Sequence, residues 1–170
     1  NVIRRFRRFA AHQIAFCVCV FVVILVHFHQ RILNTGIMGF VSNICIGGTA
    51  LAVATTIKDN KAQKGMIASF GVTALCGVTE PAFYGSLIMR PRVLVGTAIG
   101  AAAGGLIAGI FQLKNYVVGG CPGFLALLFF LPPDGSMGNM IVALASGIVA
   151  VVVAFIACTV ILKKAYKEDV

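Results

Sequence analysis

The sequence predicts an all-α integral membrane protein of about four transmembrane helices plus two re-entrant hairpins. Three observations predict it. Of 170 residues, 59% are hydrophobic and only 11% charged, with a mean hydropathy of +0.99, whereas soluble domains carry roughly 25% charged residues. Long apolar runs alternate with short basic clusters, the pattern of membrane segments and their cytoplasmic loops. Two of the runs are interrupted by glycine and proline, and one of those carries a lone acid.

The charge balance is basic, 14 Lys and Arg against 5 Asp and Glu. The basic residues lie in clusters between apolar runs, which argues against nucleic acid as a partner and for a membrane. Cys17, Cys19, Cys45, Cys76, Cys121 and Cys158 are scattered through apolar runs and form no Cys-x-x-Cys pair. They read as small buried hydrophobes, so neither a metal, a disulfide framework nor a cofactor is expected.

Residues 1–35 begin with Arg4, Arg5, Arg7 and Arg8 and continue into Phe9–Phe28. That run is long enough to span, and it lacks the small-residue end of a cleaved signal. Residues 36–162 hold the remaining runs: Gly36–Ile57, Gly65–Met89, Val93–Leu113, Cys121–Leu131 and Asn139–Leu162. Residues 163–170 are expected to form a cytoplasmic C-terminal tail that opens with Lys163 and Lys164. Between Met66 and Met89 the one side chain charged at neutral pH is Glu80. A carboxylate at membrane depth costs about 2.5–3.5 kcal/mol on insertion scales. Pro81 has no N–H to give a helix and disfavours helical geometry at Glu80, so the backbone is expected to break at Glu80-Pro81. Irregular backbone survives in a bilayer where protein covers it or where it lines a wet cavity. The segment therefore points to a polar ligand site.

Charge sidedness decides the topology. If Gly65–Met89 enters and leaves on one side, Arg4–Arg8, Lys58–Lys64, Arg90 with Arg92, and Lys163–Lys167 all fall inside, as the positive-inside rule wants. A single crossing puts Arg90 and Arg92 outside. Cys121–Leu131 is too short to span and is bounded by Gly119-Gly120, Pro122-Gly123 and Pro132-Pro133, so it reads as a second hairpin from the other side. Two broken segments meeting near the midplane is transporter architecture. In Val93–Leu113, Gly96, Gly100 and Gly104 repeat every four residues, the signature of helices packed backbone to backbone.

Gly77-Val78-Thr79-Glu80-Pro81-Ala82-Phe83-Tyr84-Gly85 resembles the G-[IV]-T-E-P-A-x-[YF]-G motif of the glucose-superfamily enzyme IIC, the permease of the bacterial sugar phosphotransferase system (PTS), of β-glucoside, sucrose or trehalose type. Gly47–Val53 with the lysine loop after it, the glycine-rich helix, Gly119–Leu127 and Pro133-Asp134-Gly135 with Asn139 resemble further parts of it, in order. Cys121 departs from the pattern, and residues 1–35 match poorly. The resemblance implies the C-terminal half of a larger permease, hence a fragment, whose full-length form is a homodimer in the bacterial cytoplasmic (inner) membrane.

The resemblance also implies a sugar as substrate, a β-glucoside or disaccharide, phosphorylated on entry by separate IIB and IIA domains. Glu80 is expected to accept sugar hydroxyls, with Thr79, Pro81 and Tyr84 around it. An ionised carboxylate makes hydrogen bonds roughly twice as strong as neutral acceptors do. Phe83 is a second aromatic beside the site. His27 or His29 is expected to stand for the family's sugar-contacting histidine. No phosphoryl carrier is recognisable in the chain itself. Membrane lipid is the other expected partner. The alternative function is a proton-coupled secondary transporter in which Glu80 exchanges the proton.

Overall fold

The apolar runs become helices because each offers an unbroken supply of backbone donors and acceptors, which lipid requires to be satisfied internally. The structure is a computed structural model. It describes residues 35–58, 60–117 and 123–168. The run Phe9–Phe28, with His12, His27 and His29, and Cys121 lie outside the described residues. The elements in order are α1 (Thr35–Thr56), α2 (Lys61–Cys76), the single turn α3 (Glu80–Ala82) continuing into a π-helical segment (Phe83–Leu87), α4 (Val93–Ile110), a 3-10 helix (Phe124–Phe130) and α5 (Gly138–Glu168). Three of them are long and apolar enough to cross a membrane: Gly36–Thr56, Val93–Ile110 and Gly138–Lys164. These are the three expected spans that fall on described residues. The α4 helix stops short of Leu113 because the chain turns at Phe111, with Gln112 at φ 50°.

Small residues set how the spans pack. A Cβ on Gly96 would meet Cys158, one on Gly100 would meet Ala150 and Ala154, and one on Gly104 would meet Ala150 and Ser146. The glycine row of α4 thus lies directly on the backbone of α5, as the four-residue repeat predicts. Gly48 of α1 abuts the Val151 backbone in the same way. The Thr49 and Thr97 hydroxyls, both fully buried, bond to each other at 2.9 Å across α1 and α4. Thr97 also donates to its own Val93 carbonyl at 3.3 Å. Either hydroxyl can be the donor across the interface.

Those contacts fix the directions. Thr49 faces Thr97 while Val41 lies by Gly104, so α1 and α4 are antiparallel. Gly96 faces Cys158 while Gly104 faces Ser146, so α4 and α5 are antiparallel too. The helix ends bearing Lys58, Arg92 and Lys163 therefore share one end of the bundle. Gly36, Lys114 and Asn139 share the other, where Gly36 abuts the Asn115 side chain. Each end has its own apolar core. Ile46, Ala50, Val53, Ile67, Leu87 and Val93 form the one at the basic end. Ile37, Phe40, Ile44, Leu113, Phe130 and Ala143 are among those at the opposite end.

Candidate functional site

The first broken segment is built from two helix ends. Asn60 caps the start of α2 by accepting from the Gln63 N–H at 3.0 Å. At the far end Gly77 takes a left-handed φ of 113°. Its N–H bonds to Ala74 O and that of Val78 bonds to Thr73 O, both at 3.0 Å. This pair of bonds is a Schellman stop, which a left-handed glycine permits at no Cβ penalty. Sixteen helical residues from Lys61 reach about 24 Å, so the stop lies deep relative to the basic end.

The break falls at Gly77–Thr79, which corrects the expectation that it falls at Glu80-Pro81. Glu80 and Pro81 open the next helical turn instead. Proline fits there because the first N–H groups of a helix have no intrahelical partner. Glu80 in that first turn is also favoured by the helix dipole, by roughly 0.3–1 kcal/mol where exposed. The chain then widens into the π segment, where Ile88 N–H bonds five residues back to Phe83 O at 3.0 Å. Such π turns occur frequently at functional sites. The segment returns to the basic end, where Leu87, Val93 and Leu94 join the α1 and α2 core. Arg90 therefore lies on the same side as Lys58, and the re-entrant path drawn from charge has its geometric counterpart.

The side chains divide by face. Glu80 is exposed, Tyr84 is 65% exposed one turn on, and Thr79 and Pro81 are half-buried. The Thr79 carbonyl is taken by Phe83 N–H at 2.9 Å. Phe83 turns inward onto the core, edge-on to Tyr84 at 5.3 Å. The Glu80 carboxylate forms no hydrogen bond or ion pair with any other described residue. Toward the described residues its two oxygens stand open as acceptors. Ser86 is fully buried in the π segment, and its Oγ has no partner among the described residues. No group of His, Cys, Asp and Glu among the described residues can hold a metal ion.

The second hairpin comes from the other end. After α4, the chain turns at Phe111–Gln112 and continues without regular structure to Val117, and the described residues resume at Gly123. A Cβ on Gly123 would overlap the Cys76–Gly77 peptide, so the tips of the two broken segments touch backbone to backbone. The returning arm is a seven-residue 3-10 helix, longer than most. Phe124 and Phe130 of that arm pack edge-on against Phe40 of α1 at 6.2 and 5.0 Å. Pro133-Asp134-Gly135 makes the turn into α5, with Gly135 at φ 71° and its N–H on Pro132 O at 3.0 Å. Asp134 serves that turn.

Glu80, Thr79, Pro81 and Tyr84 thus lie within two turns of one another beside the touching tips. His27 and His29 lie outside the described residues. Residue-type reasoning did not single out Ser86, Gly123 or the bonds of Asn139. Pro122-Gly123 was visible as a turn, but nothing in the sequence said which backbone it would meet.

No family model matches the chain, and no solved structure matches it. Curated relatives do. It is 38% identical over 88 residues to the PTS system sucrose-specific EIIBC component of Staphylococcus xylosus, covering 51% of this chain and 18% of that protein. It is 33% identical over 113 residues to the PTS system beta-glucoside-specific EIIBCA component of Bacillus subtilis (strain 168), covering 65% and 18%. The PTS system arbutin-, cellobiose-, and salicin-specific EIIBC component of Escherichia coli (strain K12) is 30% identical over 133 residues, 75% of this chain and 27% of that protein. The chain is homologous to the sugar-specific PTS components. As a PTS homologue it matches the IIC type to which its Gly77–Gly85 motif points. The alignments span about a fifth to a quarter of the length of these relatives.

Proposed function

We propose that this PTS homologue is a translocation module of a phosphoenolpyruvate-dependent sugar permease in the bacterial cytoplasmic membrane. Its sugar is of the β-glucoside or sucrose class, and Glu80 is the principal ligand residue. The observation that carries this reading is the Glu80 carboxylate, without a partner among the described residues and held on an exposed face where two broken segments touch. A sugar brings many hydroxyls and no charge, and each must replace its water inside the membrane. Glu80 accepts from two of them with charge-assisted bonds. Tyr84, one turn on, offers a ring for the C–H face of the sugar and a hydroxyl for its rim. Thr79 adds a donor. The π turn keeps this face from being drawn into the core that takes Phe83.

The site would hold the sugar toward the basic end, where the Arg90 and Lys58 clusters lie in this reading on the cytoplasmic side. Phosphate would come from IIB, charged by IIA, which the fused names EIIBC and EIIBCA of the relatives support. The test is a permease of this class in which residues 36–162 replace the corresponding part, assayed in membrane vesicles. Sugar should accumulate as its phosphate, should need phosphoenolpyruvate, and should be indifferent to a protonophore. Uptake of unmodified sugar abolished by the protonophore would favour proton coupling at Glu80 instead.

A further inference from the structure

Asn139 is the first side chain of α5 and makes three hydrogen bonds to backbone from two other passes of the chain. Its Nδ2 donates to Phe130 O at 2.6 Å and to Lys114 O at 2.7 Å, and its Oδ1 accepts from Lys114 N–H at 3.0 Å. Lys114 lies just beyond the end of α4, and Phe130 ends the 3-10 arm. One amide group thus uses both of its N–H donors and its oxygen to join the outgoing limb, the returning limb and the following span. Tyr116 N–H on Phe129 O at 2.9 Å closes the neck a further step along.

The returning arm is a continuous 3-10 helix and its other end is engaged. Seven residues of 3-10 helix rise about 14 Å, against roughly 10 Å had they been α-helical, and a hydrocarbon core is about 30 Å thick. The extra length carries Gly123 to the Cys76–Gly77 peptide, three residues ahead of Glu80. The Phe130 carbonyl needs a donor from elsewhere because the chain that follows is Pro132-Pro133, which has no N–H to give. Asn139 supplies it.

We propose that Asn139 is a positioning residue. It fixes the depth and angle of the second hairpin, so that Gly123 buttresses the Gly77 stop from which Glu80 projects. The functional consequence rests on the sugar-site reading above, but the geometric claim can be measured without sugar. Spin labels at Val78→Cys and Leu125→Cys, both exposed positions, report the separation of the two tips in the full chain in lipid bilayers, in a cysteine-free background. Labels at Thr56→Cys and Arg92→Cys report the packing of α1 on α4 at the basic end.

Asn139→Ala removes all three bonds, and Asn139→Asp removes the two donated ones. Either should abolish the narrow 78–125 distance peak and leave the 56–92 peak as in the parent. An unchanged 78–125 distribution in Asn139→Ala would overturn the proposal. So would equal broadening of both pairs, since Asn139 would then serve the fold at large. Neither result depends on whether Glu80 binds sugar, so the two readings fail separately.

Discussion

Glu80 matters through what it lacks. An acid without a partner among the described residues leaves its two oxygens available to a ligand or to water. Its place in the first turn of α3 adds a modest favourable dipole interaction. Gly77 is the second decisive residue. At φ 113° a Cβ carries a left-handed penalty of about 1–2 kcal/mol. Gly77→Ala should therefore destabilise the first hairpin by about that much. Amide hydrogen exchange at Val78 and Thr79 in the bilayer-embedded chain is the measurement, and unchanged protection would show that the Schellman stop is not needed. Thr49→Val is a milder case. It removes one partner of the interhelical bond while leaving the Thr97 hydroxyl its Val93 O partner. Intramembrane hydrogen bonds of this kind average about 0.6 kcal/mol, so we expect a small loss in unfolding free energy by that amount.

Among elements, the α4–α5 seam was legible because its signal is periodic. Gly96, Gly100 and Gly104 pointed to close helix packing, and the structure puts all three on α5. The broken segments were legible as existing and not in their detail. Pro81 advertised a break, but the same missing N–H that ends a helix also suits its first turn. The residue that stops α2 is Gly77, whose left-handed geometry cannot be told from that of other glycines by sequence. The π segment and the long 3-10 arm carry no compositional mark, because Phe83–Leu87 and Phe124–Phe130 are ordinary apolar sequence. In the structure the π segment holds Tyr84 outward and Phe83 inward, and the 3-10 arm reaches the other tip. Gly100→Val tests the seam. Its branched side chain would meet the Ala150 carbonyl and Ala154, and overpacking of this kind costs roughly 1–3 kcal/mol. Unaltered stability in a detergent-to-denaturant titration would mean that the seam is loose.

At the scale of the whole molecule, charge and geometry agree. Lys58, Arg92 and Lys163 come to one end of the bundle through helices that run in opposite directions, and all three are exposed. Charge parity alone predicted that these ends share a side, since only a re-entrant first hairpin satisfied every cluster. What faces the outer flanks was not legible in this way. Val95, Ile99 and Leu106 of α4, with Ile141, Ile148, Val152 and Ile156 of α5, remain exposed, and each set follows helical spacing, as a lipid- or protein-covered face does. Single cysteines at Lys61, Arg92 and Lys167 in a cysteine-free chain should all be labelled from the cytoplasmic side. Labelling of Arg92 from outside, with Lys61 protected, would sink the re-entrant topology.

The central claim is that Glu80 holds the sugar, and Glu80→Gln tests it most directly. The substitution keeps the shape, removes the charge and exchanges one acceptor for a donor. Measured by titration of sugar into a purified permease carrying residues 36–162, affinity should fall by about 1.5–3 kcal/mol, the range for hydrogen bonds to charged groups. A folded Glu80→Gln protein that binds sugar as tightly as its parent would contradict the account and leave Glu80 as the acid of a helix start.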